Sequence, residues 1–121
     1  MGTKIIREQY GNPSPKNFLE ISEMYFEYLN EKNLMKLEEL YSKDIELYDW
    51  NDMWHGRQNV LDMNEGLFDS GLEFVLNESK QIGNRTYNHI SIHTNKESIK
   101  VLDVIYWNEE FKITKIEAFK G

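Results

Sequence analysis

Residues 44–57, DIELYDWNDMWHGR, place a carboxyl group at the end of a predicted strand. Side chains alternate along an extended segment, so Ile45, Leu47 and Asp49 lie on one face. Burying an ionised carboxylate without a partner is costly, which favours a functional role for Asp49. The alternative is that Asp49 opens a turn, because Asn51 and Asp52, which follow it, are common turn residues. The spacing alone leaves both interpretations open.

Two further polar residues fall among apolar ones. Asp103 lies within SIKVLDVIYW, residues 98–107, and shares a strand face with Val101 and Ile105. Burial raises the pKa of a carboxyl group, and a protonated carboxyl can donate a hydrogen bond. The alternative to a protonated donor is a structural role, in which Asp103 pairs with a nearby arginine or caps a bulge. Tyr25 lies on the apolar stripe of a predicted helix, where its hydroxyl needs an interior partner.

Together these residues place a phenol and two carboxyl groups in one predicted interior. Such a set can remove a proton next to a carbonyl group and stabilise the resulting enolate in a dry pocket. Isomerisation, aldol-type cyclisation and dehydration all share that first half.

The first half of the chain has mainly the apolar spacing of helices, and the second half has the spacing of extended strands. Three helices are predicted: residues 15–30, starting at Ser14-Pro15; a short helix capped by Asn33 and carrying Tyr41; and residues 57–69. Extended runs follow at residues 72–82, 85–94, 98–107 and 110–119. Helices followed by an antiparallel meander predict an α+β domain in which the helices cover one face of a curved sheet. Residues 1–13 are predicted to be an N-terminal arm, and residues 14–121 a single domain.

The composition narrows the classes of partner. The net charge of −7 disfavours nucleic acid and anionic membranes. The absence of cysteine excludes disulfides and cysteine-ligated zinc. His89 and His93 share a strand face, but four strand residues span about 13 Å, too far for one ion, so neither a metal nor a cofactor is expected. No signal peptide or membrane-spanning run is visible, and a cytoplasmic location is expected.

Three stretches resemble the nuclear-transport-factor-2-like superfamily, and within it the SnoaL-like and ketosteroid isomerase group. They are MYFEYLNEKNLMKLEELYSKDIELYD, the HGR before the third helix, and VLDVIYWNEEFKITKIEAF. The resemblance covers residues 18–119 and implies a cone-shaped, cystatin-like α+β fold. In ketosteroid isomerases an aspartate closing the first strand is the general base. A tyrosine on the first helix and a protonated aspartate on a late strand donate to the substrate oxyanion.

Carried over residue by residue, the resemblance puts the base on Asp49 and the donors on Tyr25 and Asp103. Tyr41 matches a tyrosine that supports the hydrogen-bond network in part of the family. Asn64 stands where another network tyrosine would be, and the loop of residues 49–55 is slightly short. These two departures leave the substrate open.

The substrate pocket is expected to involve residues from the whole chain: Tyr41, Trp50, Trp54, His55, Met63, Asn64, Val101, Ile105, Trp107 and Ile116. Trp50 and Trp54 are candidates for a lid over the cavity, with a buried packing role as the alternative. His55 could line the mouth or belong to the loop-to-helix connection.

Two functions are compatible with these expectations. The first is a cofactor-independent isomerase, cyclase or dehydratase acting on a small hydrophobic carbonyl compound. The second is a non-catalytic module that binds a small molecule or dimerises with the same fold. A homodimer is expected through the sheet face that bears Leu102, Val104 and Tyr106.

Overall fold

Three helices pack on one face of a curved six-stranded sheet in the computed structural model, which describes residues 17–121. The helices are α1 (Phe18–Asn30), α2 (Leu34–Leu40) and α3 (Arg57–Phe68). The strands are β1 (Tyr41–Tyr48), β2 (Met53–His55), β3 (Glu73–Ile82), β4 (Arg85–His93), β5 (Ser98–Trp107) and β6 (Ile113–Lys120). The predicted α+β class is confirmed.

The predicted antiparallel meander is confirmed for β3 to β6, but the sheet as a whole is mixed and not antiparallel throughout. The strand order is β2-β1-β6-β5-β4-β3, and β1 pairs with β6 in parallel. A parallel pair needs a long connection, which the intervening helix and strands supply. The register places Leu47 beside Ile116 and Asp103 beside Ala118, so strands distant in sequence line one interior.

Helix α1 begins at Phe18, later than predicted. Asn17 has an extended backbone (φ −160°), and its side-chain oxygen accepts a hydrogen bond from the Glu20 N–H at 2.9 Å, as an N-cap does. The predicted start at Ser14-Pro15 and the predicted arm lie outside the described residues. The helix ends with Lys32 in the left-handed region (φ 57°).

The side chain of Asn30 ties the end of α1 to β3. Its Nδ2 donates to the Phe74 carbonyl at 2.7 Å, and its Oδ1 accepts from the Phe74 N–H at 2.8 Å. The amide thus pairs with the outer edge of β3 as a neighbouring strand would.

Three predicted elements differ locally. Tyr41 begins β1 instead of extending the second helix, because its extended backbone pairs with Ile113 of β6. The stretch around Trp54, predicted to be loop, forms the short strand β2, in which Trp54 pairs with Leu47. Strand β6 begins at Ile113 and not at residue 110, because the Asn108 side chain closes a turn before it by accepting two backbone N–H bonds.

One end of the interior is filled by aromatic packing over a polar cluster. Trp107 is fully buried and stacks on Phe18, with ring centroids 5.9 Å apart. Its indole N–H donates to Thr86 Oγ1 at 3.1 Å, and the hydroxyls of Ser22 and Thr86 are 2.8 Å apart. Asn88 Nδ2 contacts the same hydroxyl oxygen at 3.2 Å. Open space is therefore found toward the other end of β5.

Candidate active site

A cavity of about 270 Å³ lies among α1, α3 and the inner face of the sheet. Its lining is mainly apolar, with a few polar groups, the usual composition of a small-molecule site. The lining consists of Tyr25, Leu29, Leu47, Asp49, Trp50, Met63, Asn64, Leu67, Leu72, Phe74, Ile90, Ile92, Thr94, Ile99, Val101, Asp103, Ile116 and Ala118.

Asp103 is buried in this lining without a counter-ion from the described part of the chain. Asp103 is 8% exposed. Among residues 17–121, no side chain forms a salt bridge or a hydrogen bond with its carboxyl group. Burial raises the pKa of Asp103 to about 7. The alternatives of an arginine pair or a bulge find no support here, because the pairing with Asn88 and Ala118 is regular.

Tyr25 reaches the cavity from α1 and is buried. Burial raises its pKa well above that of a free phenol, and the nearby Tyr41 and Asp103 raise it further. Tyr41 lies within hydrogen-bonding reach of Tyr25 and donates to Asn64 Oδ1 at 2.5 Å. Tyr41 therefore connects two polar residues of the cavity wall, Tyr25 and Asn64. Tyr25 stays protonated, and hence a hydrogen-bond donor, at neutral pH.

Asp49 is half-buried at the cavity rim and also organises the turn that follows it. Its Oδ1 accepts from the N–H groups of Asn51 and Asp52, each at 2.7 Å. Its Oδ2 forms no hydrogen bond within residues 17–121. The two interpretations left open by the spacing are thus compatible: one oxygen holds the turn, and the other remains available.

The cavity brings together most, but not all, of the residues expected from the sequence. Tyr25, Asp49 and Asp103 share it with Trp50, Met63, Asn64, Val101 and Ile116. Trp50 is 40% exposed, with Lys120 Nζ 5.9 Å from its ring centroid, a position at the mouth of the cavity.

Five expected residues lie outside the lining, for identifiable reasons. Tyr41 is buried behind Asn64, and Trp54 packs against the core from edge strand β2. His55 is exposed, and its carbonyl accepts from Asn59 Nδ2 at 2.8 Å, so it belongs to the connection into α3.

Ile105 and Trp107 share the inner face of β5 with Asp103, but they point into the filled end of the interior. Strand alternation places residues on a face and does not say how far along the strand the cavity extends.

Sequence reasoning missed part of the wall: Leu29, Leu67, Leu72, Phe74, Ile90, Ile92, Thr94, Ile99 and Ala118. The alternation of Ile90 and Ile92 in the extended run predicted at residues 85–94 was a usable signal, since both share the inner face with Asn88. Phe74 had no comparable signal, because its place depends on how β3 curves over α1.

No helix of residues 17–121 has both the length and the apolar character needed to cross a membrane. In the same range, no group of three or more histidine and acidic side chains is arranged to hold a metal ion.

Known structures share this architecture at low sequence identity. No family model matches the sequence, and no curated protein matches it either. A nuclear-transport-factor-2-like protein of unknown function from Cytophaga hutchinsonii superposes with a TM-score of 0.79 at 12% identity, covering 89% of this chain and 93% of that one. A SnoaL-like protein of unknown function from Burkholderia thailandensis gives 0.77 at 13%, covering 90% and 99%.

An enzyme also has this architecture. SalBIII, an epoxide hydrolase/cyclase-like enzyme with a role in pyran ring formation in the polyether salinomycin, gives a TM-score of 0.78 at 18% identity, covering 86% of this chain and 90% of that one. The chain therefore has the nuclear-transport-factor-2-like fold, as its sequence resemblance implied. At these identities the likeness establishes the fold alone.

Proposed function

We propose that this protein is a cofactor-independent enzyme that removes a proton next to a carbonyl group of a small apolar compound. The observation that supports this most directly is Asp103: a buried carboxyl without a described counter-ion, in the same cavity as a phenol and a half-buried carboxylate. The two carboxyl groups of the cavity lie in different environments, since Asp103 is buried and Asp49 is half-buried at the rim. Carboxyl groups in different environments can take different roles in one reaction.

Asp49 acts as the general base in this proposal. Its uncommitted Oδ2 takes the proton from the carbon, and the C–H electron pair moves toward the carbonyl oxygen to form an enolate. Tyr25 and protonated Asp103 donate hydrogen bonds to that oxygen, where negative charge develops. The turn bonds to Asp49 Oδ1 hold the carboxylate in position.

The enolate can then follow one of three routes. Return of the proton from Asp49 to a different carbon of a conjugated enolate gives isomerisation. Attack on a second carbonyl, whose oxygen then takes that proton, gives cyclisation. Loss of a hydroxyl from the β-carbon, protonated by Asp49 and released as water, gives dehydration. One enzyme with this fold, SalBIII, is described as cyclase-like and has a role in pyran ring formation, which supports ring formation among these routes.

The first half-reaction can be tested without knowing the natural substrate. 2-Tetralone has two rings, an apolar surface and enolisable hydrogens. We expect the protein to speed exchange of those hydrogens for deuterium in D₂O, followed by proton NMR. Asp49→Asn should lower the exchange rate by about 100-fold or more, the usual contribution of a general base, while retaining ketone binding.

The matched control for this test is Asp44→Asn. Asp44 lies on β1, the strand that ends just before Asp49, but it is exposed and outside the cavity, so this variant should keep the wild-type rate. Equal exchange by wild type and Asp49→Asn would remove Asp49 from the mechanism.

A non-catalytic binding module is the second candidate, and one observation favours it. The turn hydrogen bonds give Asp49 a structural role that needs no chemistry. Tight ketone binding with no exchange above the buffer rate would support the module over the enzyme.

We also propose that a second copy of the chain covers the outer sheet face. Leu102 and Phe119 are cross-strand neighbours there, and Phe119 is largely exposed. Tyr106, farther along the same face, contacts both Arg85 and Glu117, so this face carries both signs of charge, which allows a self-complementary interface. Light scattering should give a dimer for wild type and a monomer for Leu102→Lys; a monomeric wild type would contradict this proposal.

A further inference from the structure

Asn88 on β4 is the cross-strand neighbour of Asp103 on β5, and both residues are buried on the inner face of the sheet. Directly opposite residues of an antiparallel pair have Cβ atoms about 4.5–5.5 Å apart. The Asn88 amide is therefore a donor that β4 could offer to the Asp103 carboxyl. No hydrogen bond joins the two side chains, because the amide is bound elsewhere.

Both ends of the Asn88 amide are occupied away from that carboxyl. Its Oδ1 accepts the hydroxyl proton of Ser79, its cross-strand neighbour on β3, at 2.6 Å. Its Nδ2 lies 3.0 Å from the Asp103 backbone carbonyl oxygen, and 3.3 and 3.2 Å from the carbonyl and hydroxyl oxygens of Thr86. An amide nitrogen has two protons, so these three acceptors leave none for the Asp103 carboxyl.

The Ser79 hydroxyl also fixes which way round the Asn88 amide lies. Turning the amide over would place its Oδ1 against the carbonyl oxygens of Thr86 and Asp103, with no proton between them. The Thr86 hydroxyl oxygen is held in place as well, because it accepts the Trp107 indole N–H. The amide is therefore held by contacts on β3, β4 and β5.

The other surroundings of the Asp103 carboxyl include no cation. Its neighbour on β6 is Ala118, which has no polar side chain. The titratable groups near it are Tyr25 of α1, Tyr41 of β1 and Asp49 at the rim. Among residues 17–121, α3, β3 and β4 add no titratable side chain to the cavity wall. A hydrogen bond from an amide would favour the ionised form of this carboxyl, whereas burial without a donor favours the protonated form.

We propose that Ser79 and Asn88 are positioning residues: the Ser79 hydroxyl holds the Asn88 amide away from the Asp103 carboxyl, which stays free for the substrate oxygen. This proposal rests on the proposed function in giving Asp103 the role of a protonated donor. It adds two residues that lie outside the cavity lining and act only through Asp103.

Removing the Ser79 hydroxyl tests the proposal. In Ser79→Ala the Asn88 Oδ1 loses its donor, and the amide can turn its Nδ2 toward the Asp103 carboxylate. Carbon-13 NMR of the full-length protein follows that carboxyl, whose pKa in the wild type is about 7. We expect its pKa to fall by about 1 or more in Ser79→Ala, because the new hydrogen bond favours the ionised form.

Two matched variants control for the loss of a serine hydroxyl. Ser79→Thr keeps the hydroxyl, so its Asp103 carboxyl should titrate as in the wild type. Ser91→Ala removes a buried hydroxyl from the outer face of the sheet, where it accepts from Asn77 and Lys100. This variant should also leave the Asp103 pKa unchanged.

A double variant shows whether the Asn88 amide carries the effect. Adding Asn88→Leu to Ser79→Ala removes the amide, so the Asp103 pKa should return to the wild-type value or rise above it. Deuterium exchange of 2-tetralone gives a catalytic readout. The alkaline limb of its pH profile should move to lower pH in Ser79→Ala, by as much as the Asp103 pKa falls, and stay in place in Ser91→Ala.

Three results would overturn the proposal. They are an unchanged Asp103 pKa in Ser79→Ala, an equal fall in Ser79→Thr or Ser91→Ala, and a fall that persists in the double variant with Asn88→Leu. If the double variant does not fold, the comparison of Ser79→Ala with Ser79→Thr decides alone. A wild type that exchanges no hydrogens would count against the enzyme proposal, while the NMR titrations would still decide the role of Asn88.

Discussion

Replacing Asp103 with asparagine should stabilise the protein at alkaline pH and lose that advantage in acid. The carboxyl titrates at about 7 in the folded chain, against 3.8 for the unperturbed group. Its folded pKa is raised, so the folded state binds the proton more tightly than the unfolded state. Below the unfolded pKa both states are protonated and the residue is neutral in its effect; above the folded pKa the buried charge opposes folding.

The expected magnitude follows from the two pKa values. The difference between 3.8 and about 7, at ~1.4 kcal/mol per pH unit, corresponds to about 4 kcal/mol of opposition to folding above neutral pH. The asparagine amide carries no titrating charge, and its cost from unmade hydrogen bonds, about 1–3 kcal/mol, does not vary with pH. The change with pH is therefore the informative quantity.

Urea unfolding of wild type and Asp103→Asn between about pH 4.5 and pH 8.5 measures this change, because the other titrating groups contribute almost equally to both proteins. The difference in unfolding free energy should move in favour of the variant as pH rises, mostly between about pH 4.5 and pH 7, because the change ends near the folded pKa of about 7. Asp44→Asn, which alters an exposed aspartate, should run parallel to wild type. Carbon-13 NMR of the Asp103 carboxyl gives its folded pKa directly.

Parallel curves for wild type and Asp103→Asn would refute this reasoning. They would mean that the folded chain ionises Asp103 as readily as the unfolded chain does. The residue could then not serve as a protonated donor at neutral pH, and the proposed mechanism would lose one of its two oxyanion ligands.

Three further substitutions follow from the contacts around the cavity and in the core. Tyr41→Phe removes the hydroxyl that donates to buried Asn64 and should lower unfolding free energy by about 1–3 kcal/mol in urea titration. Lys32, just after the end of α1, has a left-handed backbone (φ 57°) that glycine adopts without strain. Lys32→Gly should therefore raise the unfolding free energy by about 0.5–1 kcal/mol in the same assay. Thr86→Val strips the hydroxyl that accepts the Trp107 indole N–H and should cost about 2–3 kcal/mol, with a shift of that indole signal in NMR.

Each of these has a result that would contradict it. No loss for Tyr41→Phe would mean that water replaces the hydroxyl and that the interior is wetter than the cavity wall implies. A lower unfolding free energy for Lys32→Gly than for wild type would mean that the lysine side chain stabilises the fold by more than its backbone strain costs. An unchanged indole signal in Thr86→Val would place the Trp107 N–H on another acceptor.

The sequence predicted the core of the site because its signals are local and periodic. The 3.6-residue spacing of apolar residues in α1 predicted that Tyr25 faces inward, and the alternation in β5 predicted the same for Asp103. Each of these predictions requires only a helix or a strand of ordinary length. The class of fold followed from the order of helical and extended segments, with the family resemblance adding its shape.

What the sequence did not predict depends on pairing between distant segments. The parallel partnership of β1 with β6 has no local signature, and β2 is too short to show alternation. The placement of Ile105 and Trp107 away from the cavity depends on Phe18 filling one end of the interior. No spacing within β5 encodes that contact.

The Asn30 amide has a consequence for how copies of this protein behave at high concentration. β3 is a border strand of the sheet, and a border strand offers unmet backbone groups that can recruit a foreign strand and start aggregation. At Phe74 those groups are already occupied by a side chain of the same molecule, and farther along Lys80 adds a charge that discourages stacking. One asparagine thus shields the stretch of border nearest the cavity from amyloid-like recruitment.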